Sequence, residues 1–162
     1  MIPISPSDAQ TLADATKILL WAGKQIKAQE VYANKVMVNH HGGVVLVGQH
    51  LYGFSDGKGW ICQDFKSGKM VWNDKGNLGK GSVTFADGHL YARTEQGAIA
   101  LIEADPGGYK EKGRFEPSDR SGREAWPHPA IAAGRLYLRD QDILLCYDIQ
   151  SAGGQAQAER RP

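Results

Sequence analysis

The chain has 162 residues, of which 41% are hydrophobic and 23% are charged, and its 19 basic residues nearly balance its 18 acidic ones. The length suits a single domain with its own core, and the composition is typical of a folded protein rather than a disordered one. Because no charge of one sign dominates, neither nucleic acid nor an anionic membrane surface is a favoured partner.

The N-terminal part carries no targeting or membrane signal. The first residues, MIPISPSDAQ, lack the basic and apolar regions of a secretory signal, and the longest apolar runs of the chain are too short to span a bilayer. Ser5, Pro6 and Asp8 predict a short helix within an N-terminal extension at residues 1–17. The following sequence, TKILLWAGKQIKAQEVYAN, predicts a β-hairpin around Gly23-Lys24.

A repeat organises the next part of the chain. Three segments align without a gap: GVVLVGQHLYGFSD from Gly43, SVTFADGHLYARTE from Ser82 and HPAIAAGRLYLRDQ from His128. Their Leu-Tyr pairs begin at Leu51 and recur after 39 and then 46 residues. Self-similarity at such a period is typical of repeat folds in which each copy is one supersecondary unit.

Each copy has the pattern of a β-meander. The apolar first strand, Val44 to Val47, predicts burial on both faces. A turn follows, with Gly88 and Gly134 in the second and third copies. The second strand alternates, and a fourth strand is predicted near Met70 to Asn73. The third strand ends on an acidic residue in every copy, namely Asp64, Glu103 and Asp148.

Four antiparallel strands per repeat of about forty residues is the spacing of β-propeller blades. A β-sandwich is the alternative, but it does not give similarity that stays in phase from copy to copy. We therefore predict an all-β fold, a partial β-propeller spanning residues 18–150, with blades near 43–73, 82–115 and 128–150. The polar sequence SAGGQAQAERRP predicts a disordered tail at residues 151–162.

The turn between the third and fourth strands carries a family resemblance. CQDFKSGKMVW, from Cys62 to Trp72, resembles the tryptophan-docking motif of quinoprotein-type propellers. Ser67-Gly68 suits the turn, Asp64 can accept hydrogen bonds from turn amides, and Trp72 can stack between adjacent blades. Lys69 completes the Ser-Gly-Lys turn of this docking motif. The chain therefore resembles a member of the pyrrolo-quinoline-quinone (PQQ)-like repeat family over residues 43–150, although the second and third copies lack the tryptophan.

The family resemblance has implications for the number of blades, the location and the cofactors of the protein. Propellers of this family close on about seven or eight blades, so it implies either a C-terminal fragment of a longer propeller or one part of an oligomer. An array that is not closed leaves edges for the remaining blades or another chain to pair with. The family also implies a periplasmic or secreted location and allows PQQ and Ca²⁺ as cofactors. No adjacent cysteine pair of the kind found in quinoprotein alcohol dehydrogenases is present in the sequence.

Several polar residues fall at the blade entries, where the propeller interpretation places a rim of the central channel. One interpretation is a ligand pocket; the other is that the imidazoles hydrogen-bond neighbouring blades while Gly42-Gly43 turns the backbone. The second is favoured because no carboxylate stands at a metal-ligand spacing from the histidine pair. The candidate ligand-binding residues are Asn39, His40, His41, Lys80, Trp126 and His128.

Two other groups receive structural interpretations. The insertion EPSDRSGREAWPHP, with Asp119, Arg120, Arg123 and Glu124, predicts a solvated charged loop with Trp126 against the rim. Residues 139–142 predict a hairpin turn rather than a calcium loop. Cys62 and Cys146 occupy equivalent places two copies apart, too far for a disulfide, and predict two buried thiols.

No catalytic residues or metal ligands are assigned from the sequence, because no nucleophile–base pair, phosphate loop or zinc spacing stands out. The leading hypothesis is therefore a non-catalytic binding or scaffold module with a protein, small-molecule or sugar partner. Two alternatives remain open: part of a PQQ-dependent alcohol or sugar dehydrogenase, in which the cofactor would carry the redox chemistry, and a carbohydrate-binding propeller with its ligand near Trp126.

Overall fold

All regular structure that this computed structural model describes, within residues 20–22, 25–27, 29–76 and 78–150, consists of antiparallel β-strands. The predicted short helix at Ser5 to Asp8 and the predicted tail at 151–162 lie outside these residues. The described part contains no helix that is long and apolar enough to cross a membrane. The all-β prediction is therefore confirmed for the part of the chain that is described.

The described residues contain thirteen strands, and each pairs with at least one strand adjacent to it in sequence. They are β1 (Leu20–Ala22), β2 (Gln25–Lys27), β3 (Val44–Val47), β4 (His50–Ser55), β5 (Gly59–Asp64), β6 (Met70–Asp74), β7 (Gly81–Ala86), β8 (His89–Thr94), β9 (Ile99–Glu103), β10 (Glu111–Phe115), β11 (Ala130–Ala132), β12 (Arg135–Asp140) and β13 (Ile143–Asp148). Strands β1 and β2 pair as a two-stranded antiparallel sheet. We name the other sheets sheet I (β3–β6), sheet II (β7–β10) and sheet III (β11–β13).

The turn between the first two strands of sheets I, II and III contains a glycine with positive φ in each case. Gly48, Gly88 and Gly134 adopt φ values of 58°, 75° and 71°, a backbone region that glycine enters without steric cost. The two strands that flank each turn then pair directly, as in Leu46↔Leu51 and Phe85↔Leu90. The third strands end at the acidic residues expected from the sequence.

The three sheets pack face to face in chain order. Between sheets I and II lies an apolar core that includes Tyr52, Cys62, Leu90 and Ala100, all at most 1% exposed. A second core between sheets II and III centres on Ile99, Leu136 and Leu138. Strand β7 contacts β3 and β4 on one side and β11 on the other. The first strands of the three sheets therefore lie next to one another.

Two burial predictions are wrong for a common reason. In β3, Val44 and Leu46 are 46% and 41% exposed, so this strand is not buried on both faces. Cys146 is exposed as well, while Cys62 is buried, and both thiols are free. Alternate residues of a strand point to opposite faces, and these three lie on the outward faces of sheets I and III. Neither outward face has another sheet packed against it within the described residues.

Candidate functional site

The candidate rim residues all precede the first strand of a sheet, and the structure brings them together. Asn39, His40 and His41 precede β3, Lys80 precedes β7, and Trp126 and His128 precede β11. Because β3, β7 and β11 are neighbours, the three entry segments converge at one end of the stacked sheets. We call this group of six residues the rim cluster.

The imidazoles of the rim cluster form hydrogen bonds with other sheets or with their entry segments. The Nε2 of His41 lies 2.7 Å from a carboxylate oxygen of Glu95, which follows β8 in sheet II. His128 places Nδ1 at 3.3 Å from the carbonyl oxygen of Val83 and Nε2 at 3.3 Å from that of His41. The ammonium of Lys80 donates to Nδ1 of His40. Each of these contacts joins the entry segment of one sheet to a neighbouring sheet or its entry.

The side chain of Asn39 closes the turn into β3. Its Oδ1 accepts a hydrogen bond from the Gly43 amide at 3.0 Å, and its Nδ2 donates to the carbonyls of Gly43 and Phe54, both at 3.0 Å. A primary amide has two donors and one acceptor oxygen, and here both of its ends are engaged by the backbone. Asn39 therefore holds the loop and has little capacity left for a ligand.

The glycine pair after the histidines has two distinct roles. Gly42 lies where sheet I comes closest to sheet II: its carbonyl accepts a bond from the Val83 amide at 3.2 Å, and a Cβ at Gly42 would collide with the Gly81 carbonyl. Gly43 adopts a φ of 66°, and a Cβ there would meet the ring of His128. One glycine permits close approach, and the other permits the turn.

A buried ion-pair cluster was not predicted from the sequence. Asp140 and Arg93 are at most 1% exposed, and the Arg93 Nη2 lies 3.3 Å from the Asp140 carboxylate. Arg120 Nε approaches the same carboxylate at 3.2 Å, and the Ser121 hydroxyl and amide donate to its other oxygen. The Ser121 hydrogen bonds, together with Arg120, hold the pKa of Asp140 below its usual range.

This cluster corrects the interpretation of the insertion as a solvated charged loop. Arg120 is only 18% exposed at its side chain, and it binds both Asp140 and the carbonyl oxygens of Gln96 and Arg123. A carboxylate with no bulk water around it requires paired donors, and the insertion supplies them. Asp119, Arg123 and Glu124 remain exposed.

The repeat alignment indicates the acidic residues that were not predicted as part of the site. In the three aligned segments, Ser55, Thr94 and Asp140 share one position, and the next position holds Asp56, Glu95 and Gln141. Asp56 approaches Lys80 at 3.5 Å, and Glu95 pairs with His41. Acidic residues at this register therefore meet basic residues of the entry segments, a pattern that the alignment could have indicated.

The docking-motif residues make a turn and an inter-sheet contact. Asp64 accepts hydrogen bonds from the Ser67 amide at 2.7 Å and the Ser67 hydroxyl at 2.6 Å, and these bonds lower its pKa. Gly68 takes a φ of 69°, and the Lys69 carbonyl accepts from the Asp64 amide at 2.8 Å. Trp72 donates its indole N–H to the Asp105 carbonyl of sheet II at 2.9 Å.

No family model matches the chain, and no curated protein matches it. The site must therefore be interpreted from its own geometry. Within the described residues, no group of three or more His, Cys, Asp and Glu side chains could hold a metal ion. The acids nearest the rim are already paired, Glu95 with His41 and Asp140 with two arginines.

Proposed function

We propose that the chain forms an arc of a β-propeller of the PQQ-like repeat family and serves as a non-catalytic binding or scaffold module. The arrangement of sheets I to III supports the propeller: each is built from consecutive strands, they stack face to face in chain order, and their first strands are neighbours. A two-sheet sandwich does not contain three such sheets in succession. Blades beyond these would complete the ring.

The observation that carries the non-catalytic part is the engagement of the three imidazoles of the rim cluster. His41, His128 and His40 each bond a group in another sheet or its entry segment. A catalytic acid or base needs a hydrogen-bonding position open toward its substrate, whereas the second ring nitrogen of His41, Nδ1, has no partner and is buried. Side chains that tie sheets together serve the scaffold instead. The resemblance adds a periplasmic or secreted location to this proposal.

Among the residues that the structure describes, no group of three or more His, Cys, Asp and Glu side chains fits the calcium ion that accompanies the cofactor allowed by the family. A calcium-assisted quinone site needs free carboxylate or amide oxygens around the ion, but Asp140 is bonded to Arg93, Arg120 and Ser121. Asn39 is engaged by backbone at both ends of its amide. No catalytic step is therefore assigned to a quinone here.

Titration with PQQ and Ca²⁺, followed by dye-linked oxidation assays with alcohols and aldoses, tests this proposal. We expect no heat of binding, no change in the quinone absorption band and no turnover, with a known quinoprotein glucose dehydrogenase as the positive control. Saturable PQQ binding accompanied by dye reduction would overturn the non-catalytic assignment.

A further inference from the structure

An open groove lies beside the rim cluster at the junction of the insertion and the β12–β13 turn. Its first hollow, about 440 Å³ in volume, is lined by Glu124, Trp126, Pro127, Arg139 and Gln141. A second hollow of about 660 Å³ shares Arg139 and Gln141 with the first and is completed by three further residues, Ser121, Arg123 and Asp142. Both volumes fall within the range of about 300–1,000 Å³ that is typical of ligand pockets.

Trp126 is the side chain of this groove that most clearly indicates ligand binding. It is 57% exposed, whereas Trp60 is 1% exposed and donates its indole N–H to the Gly79 carbonyl. Trp72 is engaged in the contact between sheets I and II. An indole left open in a concave surface beside a few polar groups is a feature of binding sites, where aromatic rings supply contact area at low entropic cost.

The groove is already held in shape. The indole of Trp126 lies 5.9 Å from the ring of His41, which Glu95 holds in place. The Ala125 amide donates to the Glu95 carbonyl at 2.7 Å, so the residue before Trp126 is fixed to sheet II. Gln141 bridges the two sides by donating to the Glu124 carbonyl at 3.3 Å. A preformed groove loses little conformational freedom on binding, which favours affinity.

The charges of the groove select the class of ligand. Each hollow combines one carboxylate with arginine: Glu124 with Arg139 in the first, and Asp142 with Arg123 and Arg139 in the second. The balance does not favour a strongly charged ligand of either sign. Planar carboxylate, guanidinium and amide groups suit pairs of neighbouring hydroxyls, because each can make two parallel hydrogen bonds. A sugar ring also presents an apolar C–H face that can lie on an indole.

We propose that this groove binds a neutral oligosaccharide, with one sugar ring stacked on Trp126 and the next ring in the second hollow. The inference rests on the proposed function as a binding module and names the ligand class of that module. Glu124 and Arg139 hydrogen-bond the hydroxyls of the stacked ring. Because the two hollows share Arg139 and Gln141 as lining residues, a chain of at least two sugars binds more tightly than a monosaccharide.

The test uses cellohexaose, maltohexaose, chitohexaose and xylohexaose as probes, each titrated into the protein while the indole N–H resonance of Trp126 is followed by NMR. We expect at least one of them to shift that resonance saturably, with a dissociation constant on the order of 1 mM or tighter. Trp126→Ala removes this reporter, so its binding is measured by isothermal titration calorimetry beside that of the unmodified protein, and it is expected to be at least tenfold weaker. Glu124→Gln, which keeps the shape and removes the charge, is expected to weaken it several-fold.

Leu144→Ala is the matched control, because Leu144 is 66% exposed on the outward side of sheet III. This variant should bind the same sugar as tightly as the unmodified protein, and circular dichroism should show that all three variants are folded. Binding that survives Trp126→Ala would overturn the inference, as would a response to only a charged glycan such as hexagalacturonate or a chitosan hexamer. If none of the neutral sugars shifts Trp126, the inference fails, while the absence of quinone-dependent oxidation would still support the non-catalytic scaffold.

Discussion

At the scale of single residues, Asp140 has the largest structural role. Its carboxylate connects three parts of the chain: Arg93 in sheet II, Arg120 and Ser121 in the insertion, and its own strand β12 in sheet III. Two arginines share this one buried acid, so its removal leaves cationic groups without a full partner. Breaking a buried ion pair from one side is much more costly than replacing the whole pair.

Asp140→Asn should therefore lower the free energy of unfolding by about 3 kcal/mol. Asp142→Asn is the matched control, since Asp142 is exposed in the adjacent turn, and its effect should stay within about 0.5 kcal/mol. Urea denaturation followed by tryptophan fluorescence measures both differences. Equal stabilities of the two variants would contradict the assigned role of the buried carboxylate.

The effect of Asp140→Asn on stability should depend on pH. Hydrogen bonds from Ser121 and the nearby Arg120 depress the pKa of Asp140 in the folded state, so its stabilising contribution is full above the unfolded-state value of about 3.9. That contribution is lost as the pH falls through the folded-state pKa. The stability difference between the unmodified protein and Asp140→Asn should therefore shrink as the pH is lowered from neutral toward 3. A constant difference between pH 7 and pH 3 would show that this carboxylate does not titrate with folding.

At the scale of the strand, β6 carries the clearest contact between sheets. Trp72 donates to the Asp105 carbonyl at 2.9 Å and meets Tyr109 edge-on at a centroid distance of 6.2 Å. On the next sheet, Phe115 of β10 meets Tyr147 in the same way at 5.0 Å. An aromatic ring of the fourth strand therefore packs on the following sheet in both cases, and only the tryptophan adds a hydrogen bond.

Trp72→Phe should lower the free energy of unfolding by about 1 kcal/mol, because the packing is kept while one hydrogen bond is lost. Trp72→Ala should cost about 3 kcal/mol, since the ring contacts are lost as well. Trp126→Ala is the control at a tryptophan that is 57% exposed, and it should change stability by less than about 0.5 kcal/mol. Thermal melts of the three variants give the comparison, and a cost at Trp126 as large as that at Trp72 would contradict it.

The sequence predicts local elements well and long-range pairs poorly. The turns at Gly88 and Gly134 and the strand Val44–Val47 follow from neighbouring residues, and the structure confirms them. The contact of Arg93 with Asp140 joins residues 47 positions apart. In the sequence, each of these two side chains is typical of an exposed charge. Their burial follows only from the stacking of sheets II and III.

The rim cluster is predicted from the sequence only in part. The alignment of the entry segments correctly places His41 and His128 near each other, because the copies share a register. It also places Glu95 at the same register as Asp56, but it does not identify His41 as the partner of Glu95, since the partner depends on which sheet packs against the entry. The exposure of Val44 and Cys146 was missed for the same reason: burial of a sheet face depends on the neighbouring sheet and not on the strand itself.

At the scale of the whole molecule, the three sheets differ in how many neighbours they have. Sheet II packs against sheet I on one face and sheet III on the other. Sheet III has one packed face, and its outward side leaves Leu144 at 66% exposure. Local opening is easiest where few apolar groups are buried, so the stability of the molecule should decrease from the central sheet toward sheet III.

Native-state hydrogen exchange should show this order. Amides of β8 in sheet II should exchange at least tenfold more slowly than those of β12 in sheet III, which corresponds to a difference of about 1.4 kcal/mol in opening free energy. The comparison is matched, because β8 and β12 are both paired on two sides within their sheets. Hydrogen exchange at several protein concentrations tests whether self-association protects sheet III. If protection of β12 rises to that of β8 only at high protein concentration, a second copy covers the outward face of sheet III. Equal protection of β8 and β12 at the lowest concentration would contradict the predicted order, because the three sheets would then open as one cooperative unit.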